Sequence, residues 1–333
     1  MSELTPLYSL TISARATLDL HSLNNEGTEG NQVQTRMVNV VDEHGAIHSV
    51  NAISGDMWKH IQAEHLTRLS IENGEVPLCA GCRMFDANRI NADPEFQSLV
   101  RAKTPSNQLL DELLRRCIVD DIEGNLITAG SNSLPRKSVV EFGWVVGLPD
   151  SVTTDSYFHV KYARQRDAES GAAARDAAEK EGSNLGQSIF HRPLSSGIYA
   201  VVAAIEPARI GFNDITQSYA IDDEQRQLRY QLLLESLLYT FINPRGAMRS
   251  TQHPHLVGFE GVIALSTAAT PAPTVSPLQT NYRDEIMRVQ QALEPMRPAA
   301  VSLLPFETIG EFTEQITALV QHSAPYRLRY RSA

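Results

Sequence analysis

Strict alternation runs from Leu10 to Leu20. Leu10, Ile12, Ala14, Ala16, Leu18 and Leu20 fall on one side, and Ser9, Thr11, Ser13, Arg15, Thr17 and Asp19 on the other. Side chains of an extended chain point alternately to opposite faces, so this is a long strand with one buried and one polar face. A polar loop at 21–31 follows. A hairpin is predicted next, with a strand over 35–41, a turn at 42–45 and a returning strand into Ser54. The period then changes. Trp58, Ile61, Leu66 and Leu69 recur near helical spacing behind Ser54-Gly55-Asp56, so a helix is expected with Ser54 as its N-cap.

Residues 71–104 show no period and read as loop. Leu109, Leu110, Leu113 and Leu114 mark a short helix over 106–117, capped by Ser106, and 120–125 turns the chain back. Val140, Phe142, Trp144 and Val146 alternate in a strand over 138–147, entered by the basic pair Arg136-Lys137. The stretch 155–194 is unlike the rest: a strand out, an alanine- and glutamate-rich centre with no apolar stripe, and a strand back. Such a centre cannot bury a face, so the whole is expected to protrude as an arm. The apolar run over 196–211 suits a central strand covered on both faces. Leu228, Leu232, Leu234, Leu237, Leu238 and Phe241 define a helix over 222–242, stopped by Asn243-Pro244. A strand at 259–266, a proline-rich link, two peripheral helices near 281–294 and 308–322, and a basic tail over 325–333, read as an interaction strand, complete the chain. The order strand, helix, strand, strand, helix, strand predicts an α+β chain of ferredoxin-like or RRM-like type, β-α-β-β-α-β. The strands lack an RNP-type aromatic signature, so stacking of bases on the sheet is not expected.

Composition narrows the function. The 333 residues are 42% hydrophobic and 20% charged, as in ordinary globular chains. No apolar run reaches membrane length, the first residues lack a secretory pattern, and there are three cysteines, so a cytoplasmic protein without a membrane role is expected. Lysine and arginine total 29 against 39 acids, a net charge of -10. Any nucleic-acid site is then a local basic groove on an acidic body.

Three places offer chemistry for such a groove. At the helix start, Ser54, the small Gly55, Lys59 and His60 combine open amides with two cations, a plausible phosphate site; an ordinary capped amphipathic helix is the plainer reading. Gly55 would let the backbone of another molecule approach the turn. The PRGAMRS loop sets Arg245 and Arg249 around a glycine, where guanidinium forks can meet phosphates. The arm carries Lys161, Arg164, Arg166, His191 and Arg192 on its limbs, with Ile189 and Phe190 between cations on the return. Basic limbs bearing an apolar wedge suit gripping a single strand and unstacking a base, against the alternative of a disordered surface loop. The single C-x-x-C pair, Cys79 and Cys82, falls short of the four ligands of a structural zinc site, and Cys117 is the only other cysteine. No metal, no other cofactor and no catalytic residue is therefore expected, and His253 and His255 are read as an incidental pair.

In chain order LDLHSLNNEGTEGN, QTRMVNVV, AISGDMWKHIQAEHL, the C-x-x-C loop, VVEFGW, IFHRPLSSGIYA and PRGAMRS resemble the backbone subunit of class 1, type I CRISPR Cascade effector complexes, in its DevR-type autoregulator branch. The resemblance covers most of residues 7–266 and implies a hand-shaped protein. Residues 1–70 would be the first half of an RRM-like palm, 71–137 a fingers and helical insertion, 138–154 a palm strand and 155–194 the thumb. Residues 195–270 would form the second half of the palm and 271–333 C-terminal helices and tail. It further implies copies stacked head to tail along a crRNA, each gripping phosphates and wedging a flipped nucleotide while target DNA pairs with exposed guide segments. Partners would be the crRNA, target DNA, further copies of the chain, and the small, large and RNA-processing Cascade subunits, with an associated nuclease or transposition machinery. Arg36, Ser54, Gly55, Lys59, His60, Lys161, Phe190, His191, Arg192, Arg245 and Arg249 are the expected RNA contacts, and Asn24 and Asn25 weaker candidates near the target strand. The alanine- and acid-rich insert departs from the family pattern, which leaves the thumb tip unassigned.

Two rivals remain. Related type III subunits cut target RNA with an acidic residue in the loop after the first strand, where this chain has Glu26 and Glu29 but no aspartate. A DNA-binding regulator is the second, although no helix-turn-helix is evident and the acidic balance disfavours a duplex.

Overall fold

The expected first strand, β1 (Ser9–His21), lies near the middle of an antiparallel sheet. The computed structural model describes residues 4–30, 32–129, 132–162 and 187–329. After β1 come the hairpin strands β2 (Met37–Val41) and β3 (Ile47–Ile53), then α1 (Gly55–Asn73). Two helices of the inserted region follow, α2 (Ser106–Arg116) and α3 (Ile118–Glu123). The chain re-enters the sheet as β4 (Val140–Phe142), β5 (Val145–Tyr162) and β6 (Gln187–Ile205). It ends with α4 (Asp223–Ile242), β7 (His255–Ser266), α5 (Tyr282–Leu293), β8 (Val301–Phe306) and α6 (Ile309–His322). The sheet runs β8-β7-β1-β6-β5-β3-β2, with β4 beside β5 along the same edge of β6.

The polar face of β1 departs from expectation. Ser9, Thr11 and Ser13 are as buried as Leu10 and Ile12, because the proline-rich link crosses them. Thr11 donates to the Pro273 carbonyl at 2.7 Å, Ser9 accepts the Ala272 N–H, and Arg15 donates to the Pro277 carbonyl. Hydroxyls placed where a covering strand offers backbone groups lose little on burial. On the other face the core is tied by aromatic rings: Trp58 of α1 against Phe241 of α4, Phe241 against Phe259 of β7, and Phe259 against Phe306 of β8 and Phe312 of α6. Both α1 and α4 pack on this side, in contact with each other.

Other expectations are corrected. The loop at 21–31 contains a short strand, Asn25–Glu29, paired with Gln32–Thr35. Residues 71–104 hold the short helix Ala80–Arg83, a 3-10 turn and the helix Pro94–Arg101, too brief to show a period. Ser106 does not cap α2; Pro105 stands at that position. Residues 118–123 are helical, and the strand expected over 138–147 is broken into β4 and β5 at Gly143-Trp144, where Gly143 lies close to Val202. A further strand, β8, fills the space between the two peripheral helices. Part of the basic tail is used internally: Ser323–Pro325 pairs with Thr5–Leu7, and Arg327 is ion-paired to Asp223.

A buried ion cluster fixes the inserted helices to the rest. Asp121 of α3 accepts from Arg136 at 2.7 Å, from Arg229 of α4 at 2.8 Å, and from the Gly211 N–H at 3.0 Å, all three side chains being without exposure.

Candidate nucleic-acid interface

β5 and β6 stay paired beyond the sheet, in register from Val152 opposite Gly197 to Tyr162 opposite Gln187, and so form the two limbs of an arm. Its expected tip, including Arg164 and Arg166, lies outside the described residues. Lys161 and Phe190 are placed by their backbones on the two limbs, and their side chains likewise lie outside the described residues. His191 and Arg192 stand at the inner part of the return limb, opposite Phe158 and Tyr157. Phe158 meets His191 edge to face at 5.7 Å, yet it is 59% exposed and Tyr157 is 44% exposed. The aromatic pair on the outgoing limb was not anticipated from sequence. Its signal was available, in two adjacent rings on a strand that predicts no core partner for either.

The root of the arm meets two loops. Arg192 donates to Thr251, and Gln252 to the Pro193 carbonyl, which joins the arm to the loop that follows α4. That loop, residues 244–250, lies on the loop after β1. Ala247 and Met248 donate backbone N–H groups to the Leu23 and Ser22 carbonyls. Gly246 is required there: a Cβ would sit 2.7 Å from the Leu23 backbone. The loop after β1 in turn holds the start of α1. Asn24 Oδ1 accepts the Ser54 N–H at 2.8 Å, the Ser54 hydroxyl accepts the Met57 N–H at 3.1 Å, and Asn25 accepts from Ser22. Arg36 is near by sequence of contacts: Thr35 donates to the Asn24 carbonyl, Arg36 is ion-paired to Glu26, and its guanidinium lies over Trp144 at 5.3 Å. Arg245 pairs with Glu64 at 3.0 Å and Arg249 contacts Asn243. A connected set of contacts thus gathers Asn24, Asn25, Arg36, Ser54, His191, Arg192, Arg245 and Arg249.

Gly55, Lys59 and His60 are placed differently from the phosphate-site expectation. The backbone that Gly55 admits is the chain's own: a Cβ there would lie 2.5 Å from the Phe142 carbonyl oxygen. Lys59 donates to Ser138 at 2.8 Å, and burial lowers its pKa against the opposing pull of Glu123. His60 lies against Phe85 at 5.3 Å. With Asp56, Cys82 and Arg89 they line a cavity of about 560 Å³ facing the inserted region.

The inserted region holds what the single C-x-x-C pair could not foretell. Cys79 and Cys82 are joined by Cys117 and Asp120, all four buried, with their ligating atoms within 4.8 Å of one another. Burial and the neighbouring Cys117 push the Asp120 carboxyl up to about 8.

Sequence comparison now bears on this architecture. Residues 12–287 match the family described as "CRISPR-associated negative auto-regulator DevR/Csa2". The protein is therefore of the CRISPR-associated class. It belongs to the DevR/Csa2 family, the match running from β1 into α5. No curated protein matches the chain. Among solved structures it is similar to a chain of a "CRISPR RNA-guided surveillance complex, pre-nicking", with 13% identity, 93% of this chain and 99% of that chain covered, and a TM-score of 0.48. A chain of a "CRISPR RNA-guided surveillance complex" gives 12%, 94%, 98% and 0.45, and Thermofilum pendens Csc2 gives 10%, 96%, 87% and 0.35. No helix of the described residues is long and apolar enough to cross a membrane.

Proposed function

We propose that this chain is a crRNA-binding backbone subunit of a type I Cascade complex, and that it acts without catalysing a reaction. The observation that carries the reading is the contact chain from the arm to the start of α1, which links Arg192 of β6, Arg245 and Arg249 of the loop after α4, and Arg36 before β2 in an otherwise acidic protein. Family membership supports it. The strand order β7-β1-β6-β4, with α1 and α4 packed together on one face, supports reading this part as a ferredoxin-like palm. Arginines on mobile-length side chains around a groove suit phosphates, while the exposed Tyr157 and Phe158 offer ring faces to a base. Copies of the chain, target DNA and the other Cascade subunits are the partners this role requires, and head-to-tail stacking is the open association such a subunit uses.

The test is to express the chain with its sister subunits and a repeat–spacer transcript, extract the bound nucleic acid and map its chemical reactivity. Guide-length RNA with reactive nucleotides at regular intervals is the expected result. A nucleic-acid-free monomer would overturn the reading. The family's description as an auto-regulator favours one alternative, a DNA-binding role. A salt-dependent shift of promoter DNA without guide RNA would establish that role instead.

A further inference from the structure

Asp120 is a buried carboxylate in unusual company. Its Oδ2 lies 3.4 Å from Cys79 Sγ and 3.5 Å from Cys82 Sγ, and Cys117 completes the group. Among the described residues no lysine, arginine or histidine nitrogen comes within 4.0 Å of it. The contrast with the next residue is sharp: Asp121 is neutralised by two guanidinium groups in the same helix turn. Three thiols and an acid collected in the core, with no cation in contact and Arg89 reaching them only from a distance, leave a negative charge without a bonded counter-charge wherever any of them ionises.

The spacing fits a metal ion. A tetrahedral zinc ion with bonds of about 2.3 Å to sulfur and about 2.0 Å to oxygen holds its ligand atoms roughly 3.5 to 3.8 Å apart. Surrounding groups are disposed as an outer shell would be. Asn125 donates to Asp120 Oδ1 at 2.6 Å, which fixes the carboxylate and leaves Oδ2 turned to the thiols. The Cys82 N–H donates to Cys79 Sγ at 3.3 Å, a bond that favours the thiolate. Local structure also needs a tie. Cys79 caps and Cys82 lies within a single turn, Ala80–Arg83, which is far too short to hold itself, and Cys117 and Asp120 belong to the start of α3. Gly81 is pressed so close to the Arg89 backbone that no side chain fits.

We propose that Cys79, Cys82, Cys117 and Asp120 bind one structural zinc ion, which fastens the 77–93 segment to α3. Three thiolates select a soft or borderline ion, and a closed, fully protein-ligated tetrahedron is the arrangement of structural rather than catalytic zinc. The ion carries two positive charges into a cluster that holds up to four negative ones, and each ligating thiol releases its proton to solvent on binding.

The experiment is elemental analysis of the full chain, purified under reducing conditions without chelator or added metal. About one zinc per chain is expected, falling below about a tenth in Cys117→Ser and Asp120→Ala chains. Because those variants can fail to fold, two further measurements are made. Wild-type chain from cobalt-supplemented cells should show thiolate-to-cobalt charge transfer and the intense visible bands of a tetrahedral site. An Asp120→Cys chain should keep one metal while its charge-transfer absorption grows by one further thiolate. A folded, metal-free wild-type chain with three free thiols, a Cys79–Cys82 disulfide, iron in place of zinc, or zinc retained in both ligand variants would overturn the proposal.

Discussion

Asn24 Oδ1 accepts the backbone N–H of Ser54 at 2.8 Å, so the loop after the first strand packs against the N-cap of α1. Asn24 is buried, and its own carbonyl accepts from Thr35. One residue, through its side chain and its backbone, thus joins three segments of the surface proposed to hold RNA. Asn24→Ala is expected to cost about 1–3 kcal/mol in urea unfolding, because Ser54 then keeps a half-buried donor without a partner. Asn24→Asp retains the acceptor and should recover most of the loss. Equal destabilisation by both would show that the amide, rather than the acceptor oxygen, matters.

Gly55 opens α1, where alanine would ordinarily be the better helix former. The Phe142 carbonyl oxygen, 2.5 Å from a Cβ there, reverses that preference. Gly55→Ala should lower stability by roughly 1–3 kcal/mol through forced displacement of β4. A neutral or raised thermal midpoint would contradict the close approach.

Asp121 holds Arg136 and Arg229 together in the interior. Asp121→Asn leaves the buried Arg229 guanidinium without its counter-charge and Arg136 with only the longer contact to Asp214 at 3.5 Å, and a loss of about 3–5 kcal/mol is expected. Denaturation of the variant beside wild type measures it, and a loss under 1 kcal/mol, far below that estimate, would mean that the two arginines find other partners.

His21 packs edge to face on Tyr199 at 5.0 Å, and burial lowers its pKa to about 4. The folded state therefore keeps it neutral, with Nδ1 facing the Leu23 N–H. The unfolded chain takes up a proton near the ordinary histidine value of 6.5. Between those values the unfolded state binds more protons, so this contribution is complete above about 6.5 and is lost as pH falls towards 4. Urea midpoints of wild type should drop across that window more steeply than those of His21→Gln. Parallel profiles would remove His21 as the cause.

Tyr157 and Phe158 are exposed on the arm and contribute little to the core. If they stack on bases, Tyr157→Ala and Phe158→Ala should each weaken RNA retention by about 5- to 100-fold, the range that about 1–3 kcal/mol per stacked base implies. Thermal midpoints should stay within about 2 °C of wild type, as surface changes do. Unchanged RNA binding would confine the arm's contribution to Arg192 and its neighbours.

Long elements with a clear period were legible in the sequence. β1, α1 and α4 stand where alternation or helical spacing put them, because each carries a long apolar stripe. Shorter ones were not. The helix Ala80–Arg83 has one turn, and α3 buries all six of its residues, so neither has a polar face to set against an apolar one. The burial of Ser9, Thr11 and Ser13 depends on a segment more than 250 residues away in sequence, a relationship that no local pattern encodes. The same holds for the candidate sites. Ser54 was identifiable as a cap from its position before an apolar repeat, whereas the partner of Lys59 lies at Ser138 and that of Arg245 at Glu64. Cys79 and Cys82 announce themselves by spacing; Asp120, forty residues on, has no such mark.

β6 serves both as an inner strand of the sheet and as one limb of the arm. At about 3.3 Å per residue, the ten residues from Gly197 back to Gln187 carry the limb roughly 30 Å outward, so a rotation of about 10° at its base displaces the far end by about 5 Å. Gly197, at φ 153° and packed on Ser151 and Val152, occupies that base, beside the irregular register between Gly147 and Val152. A side chain at Gly197 would therefore disturb both limbs at their shared base.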